Sequence, residues 1–332
     1  MQHAIRILTI LLCCLAPLQQ VAAVEEGYID LYEDAVRRLN EGEVNAALIQ
    51  AKNALLENPE HLPTRILLGD IYLLKGEGAN AEKELKIALE LGAARDSILL
   101  PLGDSLLLQR KFQEILETVI PNTPQLRRVA EIYTLRGRAY YELGMVEQAR
   151  KGFEQARELA PDSLGPLFGL TQVALRQNDL YEAEQLIARA RSLAPNNAEA
   201  WYNTAQVLLA SGDAQGALAA YSRTIELRER HMRARLGRSR LLLRMRRYES
   251  ALADAQWAAE NQKYDPEPPF LASQALLALG REDEAQEALK ESRSRLTQLK
   301  TEFVNSRPGL LRVAAMLSFA DNNLEQANYY LT

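Results

Sequence analysis

Apolar residues lie at helical spacing over most of the chain, in segments that end at a glycine and recur with a fixed period. Alignment on that glycine gives eight repeats of 34 residues without an insertion, starting at Tyr28, Leu62, Asp96, Ala130, Leu164, Ala198, Met232 and Pro266. A constant period of this length is typical of a solenoid, in which each repeat buries its apolar face only against its neighbours. The pattern therefore predicts an all-α repeat array over residues 24–299.

Small residues recur at two positions of each repeat and predict close packing of its two helices. The eighth position holds Ala35, Gly69, Gly103, Gly137, Thr171, Ala205, Ser239 and Ser273. The twentieth position holds Ala47, Ala81, Ile115, Ala149, Ala183, Ala217, Ala251 and Ala285. Short side chains let two helices approach each other, since a bulky substituent on Cβ would hold them apart. Ile115 is the one large residue at these positions.

One turn position separates the two helices of each repeat and favours a residue that tolerates positive φ. It holds Gly42, Gly76, Gly144, Gly212 and Gly280, and Asn178 takes the same place. Prolines mark the ends of several second helices, at Pro59, Pro161 and Pro195. In the third repeat, Pro121 follows closely and predicts a short second helix over residues 113–120.

These positions resemble the tetratricopeptide (TPR) repeat, which has a large residue at position 4, Leu-Gly at 7 and 8, Tyr at 11, Ala at 20, an aromatic at 24, Ala at 27 and Pro at 32. Residues 130–163 match best, with Tyr133, Gly137, Tyr140, Ala149, Phe153, Ala156 and Pro161 in place. Trp201, Ala217 and Tyr221 repeat the match in the sixth repeat. The resemblance implies a right-handed TPR superhelical solenoid of antiparallel helix pairs.

The last part of the chain, residues 300–332, is predicted to hold a connector and an incomplete ninth repeat that starts near Pro308. A solenoid normally ends in a polar helix that covers its last apolar face. No such helix is visible here, and Leu317, Phe319, Tyr329, Tyr330 and Leu331 are expected to leave an exposed apolar face. This face is interpreted either as the end of a truncated longer array or as a docking surface.

The first 23 residues predict a secretory signal peptide, with Arg6 before an apolar run and small residues at Ala22 and Ala23. The apolar run is too short to span a bilayer, and no later stretch is longer. Both cysteines, Cys13 and Cys14, lie within it, so that the exported chain would carry no thiol. We expect a periplasmic or envelope protein without a spanning segment after cleavage. A lipid anchor is the alternative, disfavoured because Leu12 precedes Cys13, and membrane association stays open.

Composition and charge exclude several classes of function. The chain is 47% hydrophobic, 25% charged and 6% aromatic, with a net charge of −5 that becomes −6 without Arg6, which gives no general attraction to nucleic acid. After the signal peptide only His61 and His231 remain as histidines, and both are predicted to be solvated turn residues. Residues 76–81 fit a dinucleotide-binding glycine pattern but follow a helix instead of the required strand. We expect no enzyme activity, cofactor or metal.

The TPR resemblance implies a concave groove lined by positions 2, 5, 9, 12 and 13 of each first helix. Position 5 gives an apolar ribbon of Tyr32, Ile66, Leu100, Thr134, Phe168, Tyr202, Leu236 and Phe270. Position 9 gives Asp70 and Asp104, then Arg138 and later Arg240, so the charge of the groove changes along the chain. The predicted ligand is a protein or peptide, or else a sugar, for which aromatic side chains supply contact area. The alternative is that these residues only support neighbouring helices.

The segment from Arg223 to Arg247 contains ten arginines and only two acidic residues, Glu226 and Glu229. Its net charge is therefore +8, although the whole chain is acidic. Arg233, Arg240 and Arg244 are predicted to face the groove, where they offer a site for acidic polysaccharide, a carboxylate-bearing partner or a membrane surface. The alternative is a solvated basic face balanced by acidic residues elsewhere.

Four phrases near the N-terminus resemble a more specific family: residues 32–35 (YEDA), 67–72 (LLGDIY), 81–85 (AEKEL) and 89–93 (LELGA). They are similar to the TPR-repeat proteins, often described as lipoproteins, of the PEP-CTERM/exosortase sorting system in exopolysaccharide-producing bacteria. This resemblance implies a non-catalytic periplasmic scaffold for protein sorting or export. The alternatives are a periplasmic TPR component of an outer-membrane secretion or assembly machine, and an accessory subunit of an envelope enzyme.

Overall fold

The computed structural model describes residues 27–121, 125–305 and 307–331, which hold nineteen helices and no strand. The predicted signal peptide and both cysteines lie outside these residues. The chain forms two compact units, here called the N-terminal half, up to Val173, and the C-terminal half, from Ala174. The predicted all-α fold class is confirmed for the described residues.

The N-terminal half contains α1 (27–40), α2 (Val44–Glu57), α3 (Leu62–Leu74), α4 (Gly78–Glu90), α5 (Arg95–Leu108), α6 (Phe112–Thr118), α7 (Leu126–Glu142) and α8 (Val146–Leu159). Helix α9 (Leu164–Arg176) begins in this half and ends in the next.

The C-terminal half continues with α10 (Leu180–Leu193), α11 (Ala198–Ala210), α12 (Ala214–Leu227), α13 (Met232–Arg244), α14 (Tyr248–Asn261), α15 (Glu267–Ala278), α16 (Glu282–Thr297), α17 (Thr301–Asn305), α18 (Pro308–Ala320) and α19 (Leu324–Leu331). Consecutive helices form pairs: each of the first eight repeats holds one first and one second helix.

The two helices of a pair run antiparallel, as their cross-helix contacts show. In the seventh repeat Arg235 reaches Asp254, 19 residues later. One helical turn further on, Ser239 donates a hydrogen bond to the carbonyl of Ala251, only 12 residues later. The separation shrinks towards the turn, which requires opposite helix directions.

Small residues allow the predicted close approach of helices. All the alanines at the twentieth position are fully or almost fully buried. At the eighth position, a Cβ added to Gly69 would overlap the side chain of Leu85, and one added to Gly137 would overlap the ring of Phe153. The large residue Ile115 is also fully buried, in the core of the third repeat.

The turn within each pair is a helix-ending motif with one residue in the left-handed region. At Gly76, for example, the glycine N–H donates to the carbonyl of Leu73 and the next N–H donates to that of Tyr72. Positive φ at Gly42, Gly144, Gly212, Gly280 and Asn178 confirms the predicted turn position. Arg110 and Arg246 fill the same position in the third and seventh repeats, with φ of 61° and 59°.

A side chain at position 4 links three repeats to the repeat before. Arg65 donates from Nε to the carbonyl of Pro59, Trp201 from Nε1 to that of Pro195, and Arg235 from Nε to that of Glu229. Each bond satisfies a carbonyl just beyond the end of a second helix, where intrahelical partners are absent. An arginine guanidinium therefore makes this bond in two of the three repeats, and a tryptophan indole makes it in the third.

The short second helix predicted for the third repeat is α6, which ends at Thr118. Its last carbonyls are satisfied from α7, because Arg136 donates to Leu116 at 2.8 Å and to Val119 at 3.1 Å. A positive side chain also suits the negative end of a helix dipole. This bond attaches the shortened helix to the next repeat.

The expected apolar face at the end of the chain is present only in part. Phe319, Tyr329 and Leu331 are exposed and Tyr330 is half-buried. Leu317, in contrast, is buried against Phe270 of α15, so its prediction as an exposed residue is wrong.

A buried carboxylate joins the second and third repeats. Glu82 on α4 accepts hydrogen bonds from Lys111 at 2.7 Å, Gln109 at 2.7 Å and Lys86 at 2.5 Å. Burial alone would raise the pKa of Glu82, but these donors together lower it from 4.5 to about 2. The network is therefore stable only while Glu82 is ionised.

We expect Glu82→Gln to lower the free energy of unfolding by about 2 kcal/mol at pH 7, less than the full shift would give, because both lysines are partly solvated. A folded-state pKa below the unfolded one stabilises the protein above pH 4.5, and this contribution is lost as the pH falls towards 2. Urea titrations of both proteins between pH 2 and 7 test this. The control is Glu90→Gln, which removes a carboxylate from the exposed end of α4. A difference that does not shrink below pH 4 would contradict the prediction.

Candidate functional site

The candidate site consists of the residues that the first helices present at positions 5, 9 and 13. These positions are four residues apart, so their side chains follow one face of a helix. In the N-terminal half they form two parallel stripes, Ile66–Asp70–Leu74 on α3 and Leu100–Asp104–Leu108 on α5. Ile66 and Leu100 pack against the same apolar core, which places the two stripes side by side.

The leucines at position 13 of these stripes are exposed to solvent, whereas the apolar residues at position 5 are half-buried. Leu74 is 66% exposed and Leu108 is 46% exposed. Ile66 and Leu100 are half-buried. Exposed leucines at matching positions of neighbouring helices form an apolar surface, and contiguous apolar surfaces often mark the binding sites of proteins.

Two carboxylates interrupt this apolar surface. No hydrogen bond or ion pair joins Asp70 or Asp104 to another described residue. Burial raises the pKa of both carboxyl groups above the ordinary value. For Asp104 the nearby charge of Arg138, which is exposed on α7, lowers the pKa in part, while Glu131 raises it further. By accessible surface, Asp70 is half-buried and Asp104 is exposed, so the neighbouring apolar residues desolvate Asp70 more than Asp104.

The first groove position of the chain, Tyr32, belongs to an aromatic cluster. The His61 ring contacts Tyr28 and Tyr32 edge-on, with centroids 4.9 and 5.3 Å apart. Its Nδ1 lies 2.7 Å from Oγ1 of Thr64, and burial lowers the pKa of the imidazole. His61 is therefore half-buried between two repeats, and its prediction as a solvated residue is wrong.

The same arrangement recurs in the C-terminal half around Tyr202. His231 is buried, with its ring centroid 5.1 Å from that of Tyr202. Its Nδ1 accepts a hydrogen bond from the N–H of Ala234, and its Nε2 lies 3.3 Å from the carboxylate of Glu199. The prediction of a solvated turn residue is wrong here too, because this imidazole caps α13.

Arg233 completes this cluster and faces solvent. Its guanidinium lies 2.7 Å from Glu199 and 4.7 Å from the centroid of the Tyr202 ring. Burial favours a higher pKa for Glu199, but the hydrogen bond from His231 and the charge of Arg233 lower it. The groove of the sixth and seventh repeats thus presents an arginine on an aromatic platform.

Arg240 and Arg244 follow Arg233 along α13. Arg240 Nε lies 3.3 Å from the carboxylate of Glu267, which Arg312 also approaches to 3.2 Å. Arg240 Nε is buried and makes no hydrogen bond of good geometry. Arg244 is exposed and pairs with no carboxylate among the described residues. Two guanidiniums therefore share the single carboxylate of Glu267, and the third has none, which leaves this surface positive.

Two other arginines of the same run have a structural role instead. Arg238 donates twice to Asp254, at 2.7 and 2.8 Å, and Arg235 lies 3.3 Å from the same carboxylate. Arg235 also stacks over the ring of Trp257. The charge count along the sequence missed this ion pair because Asp254 lies on the partner helix. An acidic residue at position 23 opposite an arginine at position 4 is the signal, and Arg65 with Glu84 repeats it at 2.5 Å.

The remaining predicted groove residues differ in how far they are buried. Phe168 is half-buried on α9. Phe270 is buried against Val313 and Leu317 of α18, so it supports the ninth repeat and offers no surface to a partner. Leu236, the position-5 residue of the seventh repeat, is also buried. The predicted apolar ribbon is therefore interrupted in the C-terminal half, where the arginines dominate.

Within the described part of the chain, no group of three or more His, Cys, Asp or Glu side chains is arranged to hold a metal ion. No helix there is long and apolar enough to cross a membrane.

Two family models, both described as tetratricopeptide repeat, match the chain. One matches residues 130–163 and the other matches residues 168–231 and 202–268. The matched residues therefore resemble tetratricopeptide repeats. The matched TPR repeats include Tyr202 and the arginines of α13, and such repeats suggest a protein–protein interaction scaffold. TPR-repeat proteins are generally non-catalytic.

Comparison with solved structures supports the fold through yeast Tom70, which gives a TM-score of 0.56 and 20% identity over 84% of this chain and 59% of that one. The chain thus spans about three-fifths of the Tom70 chain. PilF of Pseudomonas aeruginosa matches with a TM-score of 0.47 and 16% identity, over 64% of this chain and 96% of that one. A tetratricopeptide repeat protein of Parabacteroides merdae gives 0.44 and 16%, over 91% and 99%. No curated protein matches the sequence.

Proposed function

We propose that this protein is a non-catalytic periplasmic scaffold that binds other proteins through its TPR repeats, in exopolysaccharide-linked protein sorting or export of the PEP-CTERM/exosortase type. The observation that carries the binding role is the set of groove positions that the folded chain leaves accessible, with exposed leucines in the N-terminal half and exposed arginines in the C-terminal half. The predicted signal peptide and the N-terminal phrases support the location and the system.

A pull-down from envelope fractions with the chain as bait tests this function. The expected result is recovery of proteins of the sorting or export system, with loss of that recovery when groove residues are replaced. Recovery of cytoplasmic proteins alone would contradict the proposed location, and unchanged recovery by groove variants would contradict the proposed surface.

The arginine surface of α13 is the part of the scaffold that we assign to acidic polysaccharide. Arg233, Arg240 and Arg244 present guanidiniums on one side of α13, where Glu199 pairs with the first and Glu267 with the second. Guanidinium groups bind carboxylates through paired hydrogen bonds. Repeated carboxylates of a polysaccharide fit a row of such groups.

Replacing these three arginines with glutamine should weaken binding of an oligogalacturonate probe about tenfold at low salt, because three cations are lost and two carboxylates remain. The dependence of affinity on salt concentration should fall as well. Fluorescence anisotropy with a labelled probe measures both, with a neutral dextran as the ligand control.

The matched control variant carries Lys83→Gln, Arg127→Gln and Lys151→Gln, which remove the same charge from exposed positions of the N-terminal half. Its affinity should stay within about twofold of the unmodified chain, since exposed charges outside the site are screened by salt. Equal losses in the two triple variants would show a non-specific charge effect and contradict the proposed site.

A further inference from the structure

The groove face of the first three repeats is mostly apolar, in contrast to the arginine-rich groove face of α13. Positions 2, 5, 9, 12 and 13 of α1, α3 and α5 hold Ile29, Tyr32, Val36, Leu39, Asn40, Pro63, Ile66, Asp70, Leu73, Leu74, Ser97, Leu100, Asp104, Leu107 and Leu108. Asp70 and Asp104 are the only charged residues among these fifteen. Both are negative, and both stand between two large apolar residues of their own stripe.

Each of these carboxylates is flanked by apolar side chains; Asp70 is half-buried and Asp104 is exposed. Asp70 lies one helical turn from Ile66 and one from Leu74, and Asp104 lies one turn from Leu100 and one from Leu108. An ionised carboxylate that loses water without gaining a partner costs free energy. Neither carboxylate forms a hydrogen bond or ion pair with another described residue, although the charge of Arg138 on α7 acts on Asp104. A cation brought by a ligand would supply the missing interaction.

Apolar side chains of this face are also exposed to solvent. Leu74 and Leu108 are exposed at the same position of neighbouring helices. On α1, Tyr32 and Val36 line a depression of about 450 Å³ whose other lining residues are polar or charged: Glu33, Arg37, Asn40 and Glu41. Burial of a leucine side chain contributes more to the affinity of a complex than an exposed ion pair does. Apolar contact would therefore provide affinity, and the aspartates would select the charge of the ligand.

We propose that the groove face of α1, α3 and α5 binds an amphipathic cationic segment of a partner protein. Apolar side chains of the segment lie on Leu74 and Leu108, and lysine or arginine side chains reach Asp70 and Asp104. This inference rests on the proposed scaffold function and specifies the chemistry of one partner. It assigns to the N-terminal half a ligand of opposite charge from the one that the arginines of α13 would bind.

The spacing of the two carboxylates specifies the segment further. Asp70 and Asp104 occupy the same position of α3 and α5, and packed helices lie about 8–10 Å apart. In a helical ligand, two residues seven positions apart are separated by roughly 10.5 Å along the axis. We therefore expect two basic residues at positions i and i+7, on the apolar side of a helix.

Three designed peptides of equal length test this inference with the full chain. All three share one leucine-rich helical face and differ only at two positions seven residues apart, which hold lysine, glutamine or glutamate. In fluorescence anisotropy the lysine peptide should bind at least tenfold more tightly than the glutamine peptide, and the glutamate peptide should bind most weakly. Equal affinity of the lysine and glutamate peptides would overturn the proposal.

The Asp70→Asn/Asp104→Asn variant should lose about tenfold in affinity for the lysine peptide and keep its affinity for the glutamine peptide. Asparagine has nearly the same shape as aspartate, so this change removes the charge without opening a cavity. A control variant, Glu249→Gln/Glu302→Gln, removes the same charge from exposed positions of the C-terminal half and should bind like the unmodified chain. Unchanged binding of the lysine peptide by the aspartate variant would overturn the proposal.

These outcomes are separable from those of the scaffold proposal. If envelope proteins are recovered by the unmodified chain but the aspartate variant binds the lysine peptide normally, only the cationic-segment inference fails. If the peptide results are as expected but no envelope protein is recovered, the inferred chemistry of the face stands and the proposed location and system fail.

Discussion

Replacing Phe153 with alanine should lower the free energy of unfolding of the N-terminal half by about 4 kcal/mol, within the range measured for buried phenylalanines. The ring is 1% exposed. Gly137 and Gly169, on the helices either side, approach it so closely that a Cβ at either position would overlap the ring. Because these glycines have no side chains to move into the gap, the cavity left by alanine would stay largely empty.

Urea unfolding followed by circular dichroism measures this loss, and hydrogen exchange in α7, α8 and α9 shows whether it is confined to these helices. The control is Tyr181→Ala, an aromatic residue that is 75% exposed on α10. Its effect should be within about 0.5 kcal/mol, as for most exposed positions. Similar losses for the two variants would contradict the proposed packing of Phe153.

The environment of Phe153 shows why much of this fold could be predicted. The repeat pattern specifies Gly137 at position 8 and an aromatic at position 24, and these two residues meet. Gly169 lies at position 6, where the pattern makes no demand, so only the structure shows that a second glycine contacts the ring. Packing within a repeat can be read from the period, whereas packing between repeats depends on the particular side chains.

The turns give a second example. Glycine and asparagine indicate a left-handed residue because their side chains tolerate positive φ. Arg110 and Arg246 carry no such signal, and yet they occupy the same place in the turn. Their positions in the turn can be predicted only from the 34-residue period. The backbone adopts positive φ there even though arginine does not favour it.

The candidate site was less predictable, because it depends on contacts between residues far apart in the sequence. A local count of charges grouped all ten arginines of residues 223–247 together. In the structure, Arg235 and Arg238 are paired with Asp254 of the next helix, while Arg233, Arg240 and Arg244 lie on the groove side. The two histidines likewise contact tyrosines of an earlier helix, which a local pattern of turn residues does not reveal.

The distinction between structural and groove arginines leads to the second large expected effect. Asp254→Asn should lower the free energy of unfolding of the C-terminal half by about 3–4 kcal/mol, because removal of one member of a buried ion pair leaves uncompensated charge. Asp254 is 2% exposed, and its two guanidinium partners are themselves largely covered. Urea unfolding measures the effect.

A control and a rescue variant separate charge from packing. Glu226→Gln removes a carboxylate from an exposed pair with Arg223 and should cost at most about 0.5 kcal/mol. The triple change Asp254→Leu, Arg235→Met, Arg238→Met removes all three charges, and it should recover much of the loss of Asp254→Asn, since apolar residues of similar size often replace a buried ion pair without cost. If the triple variant is the less stable of the two, the hydrogen bonds of Arg235 to Glu229 and of Arg238 to Ser222 contribute more than relief of the unpaired charge, and the assignment of the loss to that charge is wrong.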